Sequence, residues 1–267
     1  MSDRGSATVL TEPKLEPATA KAYARRYLFA IVYAADAQLC TCPGMDEKEV
    51  STITEGRLTA VVSGVSGAKI RPERRNLARH QEVLKQLLAH TTPLPMTFGI
   101  LGDDEAAIHK ILRRNQRIFL EQLQHVAGKV EMGLRVKLDG PNIFEYFVNT
   151  NSELRSARDR LLGGNRQPTQ EDKIELGRMF DRLLSEKRES RTEQVQQILS
   201  RACCEVRINK YRNEHEVMNL ACLVEREAQE SFGKAVFQAA QMFDNNFAFD
   251  YNGPWAPHNF VGARLAL

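Results

Sequence analysis

The sequence has no long apolar run. Its N-terminus, MSDRGSATVLTEPKLEPATAKAY, lacks the apolar core of a signal peptide, and no later stretch reaches the length needed to span a bilayer. These absences predict a protein that stays in the cytoplasm and has no membrane partner. Basic and acidic residues nearly balance, 37 to 34, and the net charge of +3 argues against nucleic acid as a partner.

Cysteine is scarce, and its spacing excludes two common uses. Five Cys residues are an odd number, so in a reducing cytosol we expect buried thiols and no disulfide framework. The pairs Cys40/Cys42 and Cys203/Cys204 are too closely spaced for a zinc ribbon. The sequence therefore predicts no metal site.

Catalytic motifs are also missing. The six His residues are dispersed without an HExxH pair, and no G-x-G-x-x-G, P-loop or G-x-S-x-G motif occurs. We therefore predict a protein that is not an enzyme and that holds no cofactor.

The single tryptophan lies near the C-terminus, in YNGPWAPHNFV. Pro254 and Pro257 prevent this segment from forming a helix, because each proline fixes its own φ and lacks an amide donor. Residues 253–267 are therefore predicted to form an extended tail. We expect Trp255 and Phe260 to pack this tail onto the body of the protein. In the alternative interpretation, the tail binds a partner.

The length of 267 residues favours two domains, with a boundary near Gly128. Residues 1–24 are predicted to be a mobile arm, and residues 25–127 an α+β domain. The elements expected in this domain are strands at residues 27–34 and 58–65, a helix at 73–90, a short strand through Phe98, and one helix from Asp103 or Asp104 to Gly128.

Residues 128–252 are predicted to form a ferredoxin-like (βαββαβ) domain, which gives the whole chain an α+β fold class. KVEMGLRVKL alternates apolar and polar residues, as a strand with one buried face does. A helical insertion at about 141–202 is expected to contain one helix over residues 143–162 and at least two more after a capping box at Thr169 and Asp172. CCEVRINK, VMNLACLV, a helix and FAFDY follow, and right-handed crossovers place the second and fourth strands at the sheet edges.

The two faces of this predicted sheet differ in character. The last helix is expected to point Phe232, Val236, Phe237 and Ala240 inward against one face. The other face is open and mainly polar, and it lacks the aromatic side chains on which RNA-recognition sheets stack bases. Its carboxylates, Glu131 and Asp250, have no acidic companion that would support a metal-dependent phosphotransferase.

Three sequence blocks resemble the gas vesicle protein F/L family. They are RNLARHQEVL, LPMTFG and the C-terminal NGPWAPHNFV, and their order and spacing match over nearly the whole chain from Tyr27 onward. The family's tail is close to G-P-W-P-P-Y-x-F-V. Ala256 and His258 depart from this pattern, so the roles of the family's second proline and of its tyrosine do not transfer to these positions.

The resemblance implies a minor structural or assembly component of gas vesicles, located at the vesicle within the cytoplasm. Its implied partners are the small, very hydrophobic major shell protein and other gas vesicle accessory proteins. A binder of this kind would support vesicle formation by limiting aggregation of exposed apolar shell subunits. The alternatives are a small-ligand-binding regulatory module on a ferredoxin-like fold, and an enzyme.

Two binding modes are compatible with the sequence. One is strand addition along an exposed sheet edge, at residues 203–209 or 247–252, and the other is helix docking in an apolar groove between the domains. We favour strand addition as the hypothesis. The candidate edge residues are Val206 and Ile208 in the second strand and Phe247 and Phe249 in the fourth.

Overall fold

The computed structural model describes residues 25–37, 41–140, 142–163 and 167–262. Over these ranges the chain is a mixed α/β protein with two antiparallel sheets. The predicted arm at residues 1–24, Cys40 and the last five residues of the predicted tail lie outside the described residues.

The first sheet contains five strands. They are β1 (Arg26–Tyr33), β2 (Val50–Glu55), β3 (Leu58–Gly64), β4 (Leu94–Pro95) and β5 (Leu101–Gly102). Their order is β2-β3-β1-β4, and β5 also pairs with β1. The predicted strands at residues 27–34 and 58–65 are confirmed as β1 and β3.

Helices cover both faces of the first sheet. Helix α1 (Arg74–His90) packs on one face, and α2 (Glu105–Arg114) and α3 (Gln116–Val126) pack on the other. A strand enclosed on both sides has no solvent-facing positions. Accordingly, β1 is buried continuously from Tyr27 to Val32.

The sequence did not reveal β2. Its residues, VSTITE, are mostly polar, and only Val50 and Ile53 are buried. The strand forms because a two-residue turn folds it back onto β3, with Glu55 opposite Leu58. Gly56 has φ of +59° in this turn, a conformation that glycine adopts without steric cost.

The single helix predicted between Asp104 and Gly128 is wrong, because the chain forms α2 and α3 there. Asp104 caps α2 as expected, accepting a hydrogen bond from the Ala107 amide. The break lies at buried Asn115, whose side-chain amide donates to the Ile111 carbonyl at 2.8 Å. Asparagine competes for backbone groups in this way and favours helix ends.

The second sheet contains β6 (Lys129–Leu138), β7 (Glu205–Ile208), β8 (Glu216–Glu225) and β9 (Phe247–Trp255) in the order β7-β8-β6-β9. The second and fourth strands therefore lie at the edges, as predicted. Helices cover one face, where Leu134, Val136 and Leu220 belong to the core.

The helices between β6 and β7 differ from the prediction in number. The expected helix over residues 143–162 is two helices, α4 (Ile143–Thr150) and α5 (Ser152–Leu162), because Asn151 ends the first and caps the second. Conversely, α6 (Gln170–Leu199) is a single helix of 30 residues where at least two were expected. At its polar centre Arg188 is half-buried and donates to the Glu216 carbonyl, and the two ends of the helix pack on different cores.

The last helix and strand also correct two expectations. In α7 (Gln229–Ala240), Phe232 and Val236 face the core, but Phe237 points outward and is 69% exposed. Its position follows from the helix pitch, because Ala239 is the residue that completes the buried stripe. Strand β9 continues three residues beyond Asn252, so the start of the predicted tail is part of the sheet.

Contacts between the two halves of the chain fix the second sheet against α1 and the loop that follows it. The guanidinium of Arg226 donates to the carbonyls of Leu88 and Thr91, at 2.7 and 3.1 Å. The Thr92 hydroxyl donates to the Lys129 carbonyl at 2.9 Å. The division into domains near Gly128 stays a prediction.

In the part of the chain that the structure describes, no helix combines the length and the apolar character that crossing a bilayer requires.

Candidate functional site: the open face and edges of the second sheet

One half of the open face of the second sheet carries exposed polar side chains. Arg135 on β6 forms an ion pair with Asp250 on β9. Next to this pair, a Cβ on Gly133 would lie 2.7 Å from Oδ1 of Asn252, so Asn252 fills space that any larger residue at position 133 would need. The same Oδ1 accepts a hydrogen bond from the Trp255 indole at 2.9 Å.

The other half of the open face is covered. Ala221 and Leu223 of β8 form a small apolar cluster with Val126 of α3 and with Phe260, which lies in a helical turn after β9. Phe260 is 3% exposed. The end of the described chain is therefore packed between the second sheet and the N-terminal half of the protein.

Four residues hold this segment on the sheet, and we call them the tail clamp: Glu131, Arg207, Asn259 and Phe260. The Glu131 carboxylate accepts from the backbone amide of Asn259 at 2.7 Å and from its side-chain amide at 2.6 Å. Burial raises the pKa of Glu131, and the hydrogen bonds from Asn259 oppose that rise. Arg207 donates to the Asn259 carbonyl and lies 5.2 Å from the centre of the Phe260 ring.

The structure separates the predicted tail residues into two groups. Pro257 and Phe260 are buried, whereas Pro254 and Trp255 are exposed. Trp255 is 44% exposed because it lies at the end of β9, opposite Glu131, where it lines the rim of the open face. Its expected role in packing the tail onto the body stays a prediction.

A polar groove of about 500 Å³ remains on the uncovered half of the open face. Its lining includes Arg135, Arg212, Asn219, Asp250, Asn252 and Trp255. Asp250 pairs with Arg135, and the Glu131 carboxylate is engaged by Asn259. Over the described ranges, no three His, Cys, Asp or Glu side chains converge as metal ligands. The groove thus offers amide and guanidinium hydrogen bonds.

Both edge strands lack a further strand partner within the described residues. On β7, Ile208 is 57% exposed and Val206 is half-buried. On β9, Phe247 and Phe249 are half-buried, because their rings turn inward and pack on Phe243. The distances from their ring centroids to that of Phe243 are 5.3 and 5.1 Å. The candidate residues thus lie on two opposite edges, and the two phenylalanines contribute backbone and core packing more than exposed surface.

The β9 edge has aromatic residues that the sequence interpretation missed. Tyr251 is 39% exposed, and its hydroxyl lies 4.0 Å from the place of a Cβ on Gly233 of α7. Phe237 is four residues further along α7, on the same side of that helix as Gly233. We call Phe237 and Tyr251 the aromatic flank of β9. Only the placement of α7 beside β9 reveals this flank. The spacing of apolar residues in the sequence of α7 is equally compatible with Phe237 facing the core.

The chain matches the family described as "Gas vesicle synthesis protein GvpL/GvpF" over residues 25–262. It belongs to the GvpL/GvpF family. The family resemblance of the three sequence blocks is therefore confirmed, and the chain is a gas vesicle protein.

GvpL/GvpF relatives match along most of their length. Gas vesicle protein F of Streptomyces sp. is 29% identical over 220 residues, which cover 82% of this chain and 90% of the relative. Gas vesicle protein F of Dolichospermum flosaquae is 24% identical over 238 residues, 88% of this chain and 96% of the relative.

Solved GvpF structures have the same fold. The crystal structure of GvpF from Anabaena sp. aligns with a TM-score of 0.78 at 25% identity, covering 90% of this chain and 99% of that one. GvpF from Microcystis aeruginosa aligns with a TM-score of 0.73 at 20% identity, covering 89% and 98%. The mixed α/β architecture is thus that of GvpF.

The three blocks that resemble the GvpL/GvpF family meet around His80. Its ring is 5.8 Å from that of Phe98 in LPMTFG, and its Nδ1 is hydrogen-bonded to the Tyr27 hydroxyl at 2.9 Å. Ala256 of the C-terminal block packs in the same cluster. Burial, together with the nearby His258, lowers the pKa of His80 to about 4. The three blocks, distant in sequence, are therefore neighbours in the fold.

Proposed function

We propose that this protein binds the hydrophobic major shell protein of gas vesicles and supports vesicle formation by limiting aggregation of that protein. The proposed role is non-catalytic, and the proposed location is the gas vesicle within the cytoplasm. The observation that carries the proposal is the β9 edge, which pairs with no further strand among the described residues, together with its exposed aromatic flank in a chain of the GvpL/GvpF family.

An unpaired edge strand favours an extended segment as its ligand. Its free backbone groups bind another strand by main-chain hydrogen bonds, and neighbouring side chains add selectivity. Strand β9 has nine residues, whereas β7 has four. Because the number of main-chain hydrogen bonds grows with strand length, we propose β9 as the primary edge and β7 as the second candidate.

The aromatic flank supports an apolar partner. An added strand beside β9 would place alternate side chains over α7, next to Tyr251 and Phe237. The charged residues nearest on α7, Glu230 and Lys234, already pair with each other at 2.6 Å. The flank therefore presents aromatic surface with little unbalanced charge, which suits a strand with apolar side chains.

The test is co-production of a tagged chain with the major shell protein of the same organism. Expected results are co-purification of the shell protein and less light scattering when shell protein is diluted from denaturant. The double variant Phe237→Glu/Tyr251→Glu should weaken binding about fivefold or more, since aromatic residues dominate interface energies.

Ile174→Glu is the matched control, because Ile174 is equally apolar and 44% exposed, but on α6. Ile208→Glu separates the two edges: loss of binding with this variant alone would transfer the site to β7. Absence of shell-protein binding by the unsubstituted chain would refute the proposed function.

The polar groove on the open face favours a second candidate function, a small-ligand-binding regulatory module. Its volume of about 500 Å³ is within the usual range for ligand sites. Its lining is more polar than that of most such sites, so its ligand would be polar. A thermal shift with a metabolite that is abolished by Arg135→Gln would support this function, and an unchanged melting temperature across a metabolite set would count against it.

A further inference from the structure

A second groove lies on the helix-covered side of the molecule and reaches the start of strand β9 at Phe247. It has a volume of about 270 Å³ and runs between α4, α6 and the chain that enters β9. Its lining residues are Tyr146, Phe147, Thr150, Asn151, Lys187, Arg188, Arg191, Val217, Phe243, Asp244 and Phe247. Aromatic rings and cations dominate this set.

The aromatic rings form one continuous surface. The Tyr146 ring is 5.4 Å from both Phe147 and Phe247, and Phe247 is 5.3 Å from Phe243. These edge-on contacts hold the rings in place, because aromatic pairs favour such geometry. The groove thus has a rigid apolar wall that suits a side chain of similar character.

Three cations lie on the facing side of α6. Lys187 and Arg191 are four residues apart, so they are neighbours on the helix surface and repel each other. Lys187 has no hydrogen bond or ion pair to any residue within the described ranges, and Arg191 donates only to the neutral Gln194. The Arg191 guanidinium lies 5.3 Å from the centre of the Phe243 ring.

The remaining charges of the groove are already engaged. Arg188 is held by the carbonyls of Glu214 and Glu216 at 2.7 and 2.8 Å. The Asp244 carboxylate accepts from the Tyr146 hydroxyl at 2.7 Å and from the backbone and side chain of Asn246 at 2.9 Å. The positive charge of Arg191 also acts on the Asp244 carboxylate across the groove. Within the described residues, Lys187 is therefore the cation of the groove whose charge is least engaged, and Arg191 is the second cation that an external anion can reach.

We propose that this groove binds a short acidic peptide segment in which a carboxylate side chain precedes an aromatic or apolar residue. The carboxylate would lie between Lys187 and Arg191, where charge-assisted hydrogen bonds are strong. The apolar side chain would pack on Phe243 and Phe247. A carboxylate there also relieves the repulsion between the two cations. The inference does not rest on shell-protein binding by β9, although Phe247 begins that strand.

The experiment is an NMR titration of the full chain with two peptides of nearly equal shape, acetyl-Asp-Phe-amide and acetyl-Asn-Phe-amide. The acidic peptide should shift the amide signals of groove residues saturably, in the millimolar range. The affinity of the neutral peptide should be lower by about fivefold or more, because it lacks the negative charge. Acetyl-Asp-Ala-amide should also bind more weakly, because it lacks the ring.

Lys187→Gln and Arg191→Gln should each reduce the affinity for the acidic peptide about fivefold. Both side chains project from the helix surface, and unchanged melting temperatures will show that the fold is intact. Arg178→Gln, on α6 but outside this groove, is the matched control and should leave the affinity unchanged. Equal binding of both peptides, no saturable binding, or insensitivity to the two glutamine variants would overturn the proposal. Equal shifts with inorganic phosphate alone would also overturn it, because the groove would then be a general anion site.

Discussion

The two sheets of this protein are covered to different extents. Helices enclose the first sheet on both faces, and β1 is buried along its whole centre. Helices fully cover only one face of the second sheet. Half of its other face is covered by Phe260 and the end of α3, and the other half is open. Surfaces that remain for partners are therefore concentrated on the second sheet.

We expect this difference to separate residues that stabilise the fold from residues that bind partners. Side chains of β1 and β3 in the first sheet are fixed by neighbours on all sides, so changes there act on folding. The second sheet carries exposed aromatic and polar groups whose loss leaves few contacts unsatisfied. The following measurements test this contrast, from the largest expected effect to the smallest.

Removing a ring from the first sheet should cost most. Phe29 is fully buried, 4.8 Å from the Tyr27 ring, and Phe29→Ala should lower the free energy of unfolding by about 3 to 5 kcal/mol. Phe249→Ala in the second sheet should cost about 1 to 2 kcal/mol, since its ring is only partly removed from water. Urea unfolding of both variants measures the contrast, and equal losses would break it.

Acid should weaken the first sheet through His80. Its pKa is about 4 in the folded chain and 6.5 when unfolded, so the unfolded state binds a proton that the folded state does not. Stability is complete above about pH 6.5 and should fall by about 3 kcal/mol as the pH is lowered to about 4. Urea unfolding across this range, compared with His80→Gln, isolates the contribution; identical pH dependence in the two proteins would contradict it.

The tail clamp should depend on Phe260 more than on the tryptophan. Phe260→Ala removes a buried ring and should cost about 2 kcal/mol, whereas Trp255→Ala should cost less than about 1 kcal/mol. Thermal unfolding of the two variants gives the order directly. A larger loss for Trp255→Ala would restore the tryptophan as the anchor of the tail.

The ion pair on the open face should matter least. Arg135 and Asp250 are both partly exposed to solvent, so Asp250→Asn should change the free energy of unfolding by less than about 1 kcal/mol. The small effect should shrink further in high salt, because salt screens exposed charges. A loss above 2 kcal/mol, roughly twice the upper value for exposed pairs, would show that the open face is structural.

The sequence was most informative where local pattern and burial agree. The alternation in KVEMGLRVKL predicted β6, and the apolar run YLFAIVY predicted β1. Both predictions succeed because the spacing of apolar residues along a strand reflects which of its faces are buried. The Thr169–Asp172 capping box correctly marked the start of α6. The three sequence blocks likewise indicate the GvpL/GvpF family without the fold.

The errors arose where distant contacts override local preference. Strand β2 depends on pairing with β3, and α6 continues through its polar centre because its ends pack on separate cores. Phe237 satisfies a helical stripe in sequence, but the orientation of α7 turns it to solvent. The partner-binding roles of Val206, Ile208, Phe247 and Phe249 stay predictions.

The sequence by itself determined the alternating strand β6, the caps at Asp104 and Thr169, and the family, since each depends on neighbouring residues or on short blocks. Only the tertiary structure decided which ring holds the tail, because Glu131 and Asn259 are 128 residues apart and no local pattern couples them. It also decided the aromatic flank of β9 and the cationic groove on α6. Both require elements from distant parts of the chain to lie side by side, and packing fixes that arrangement.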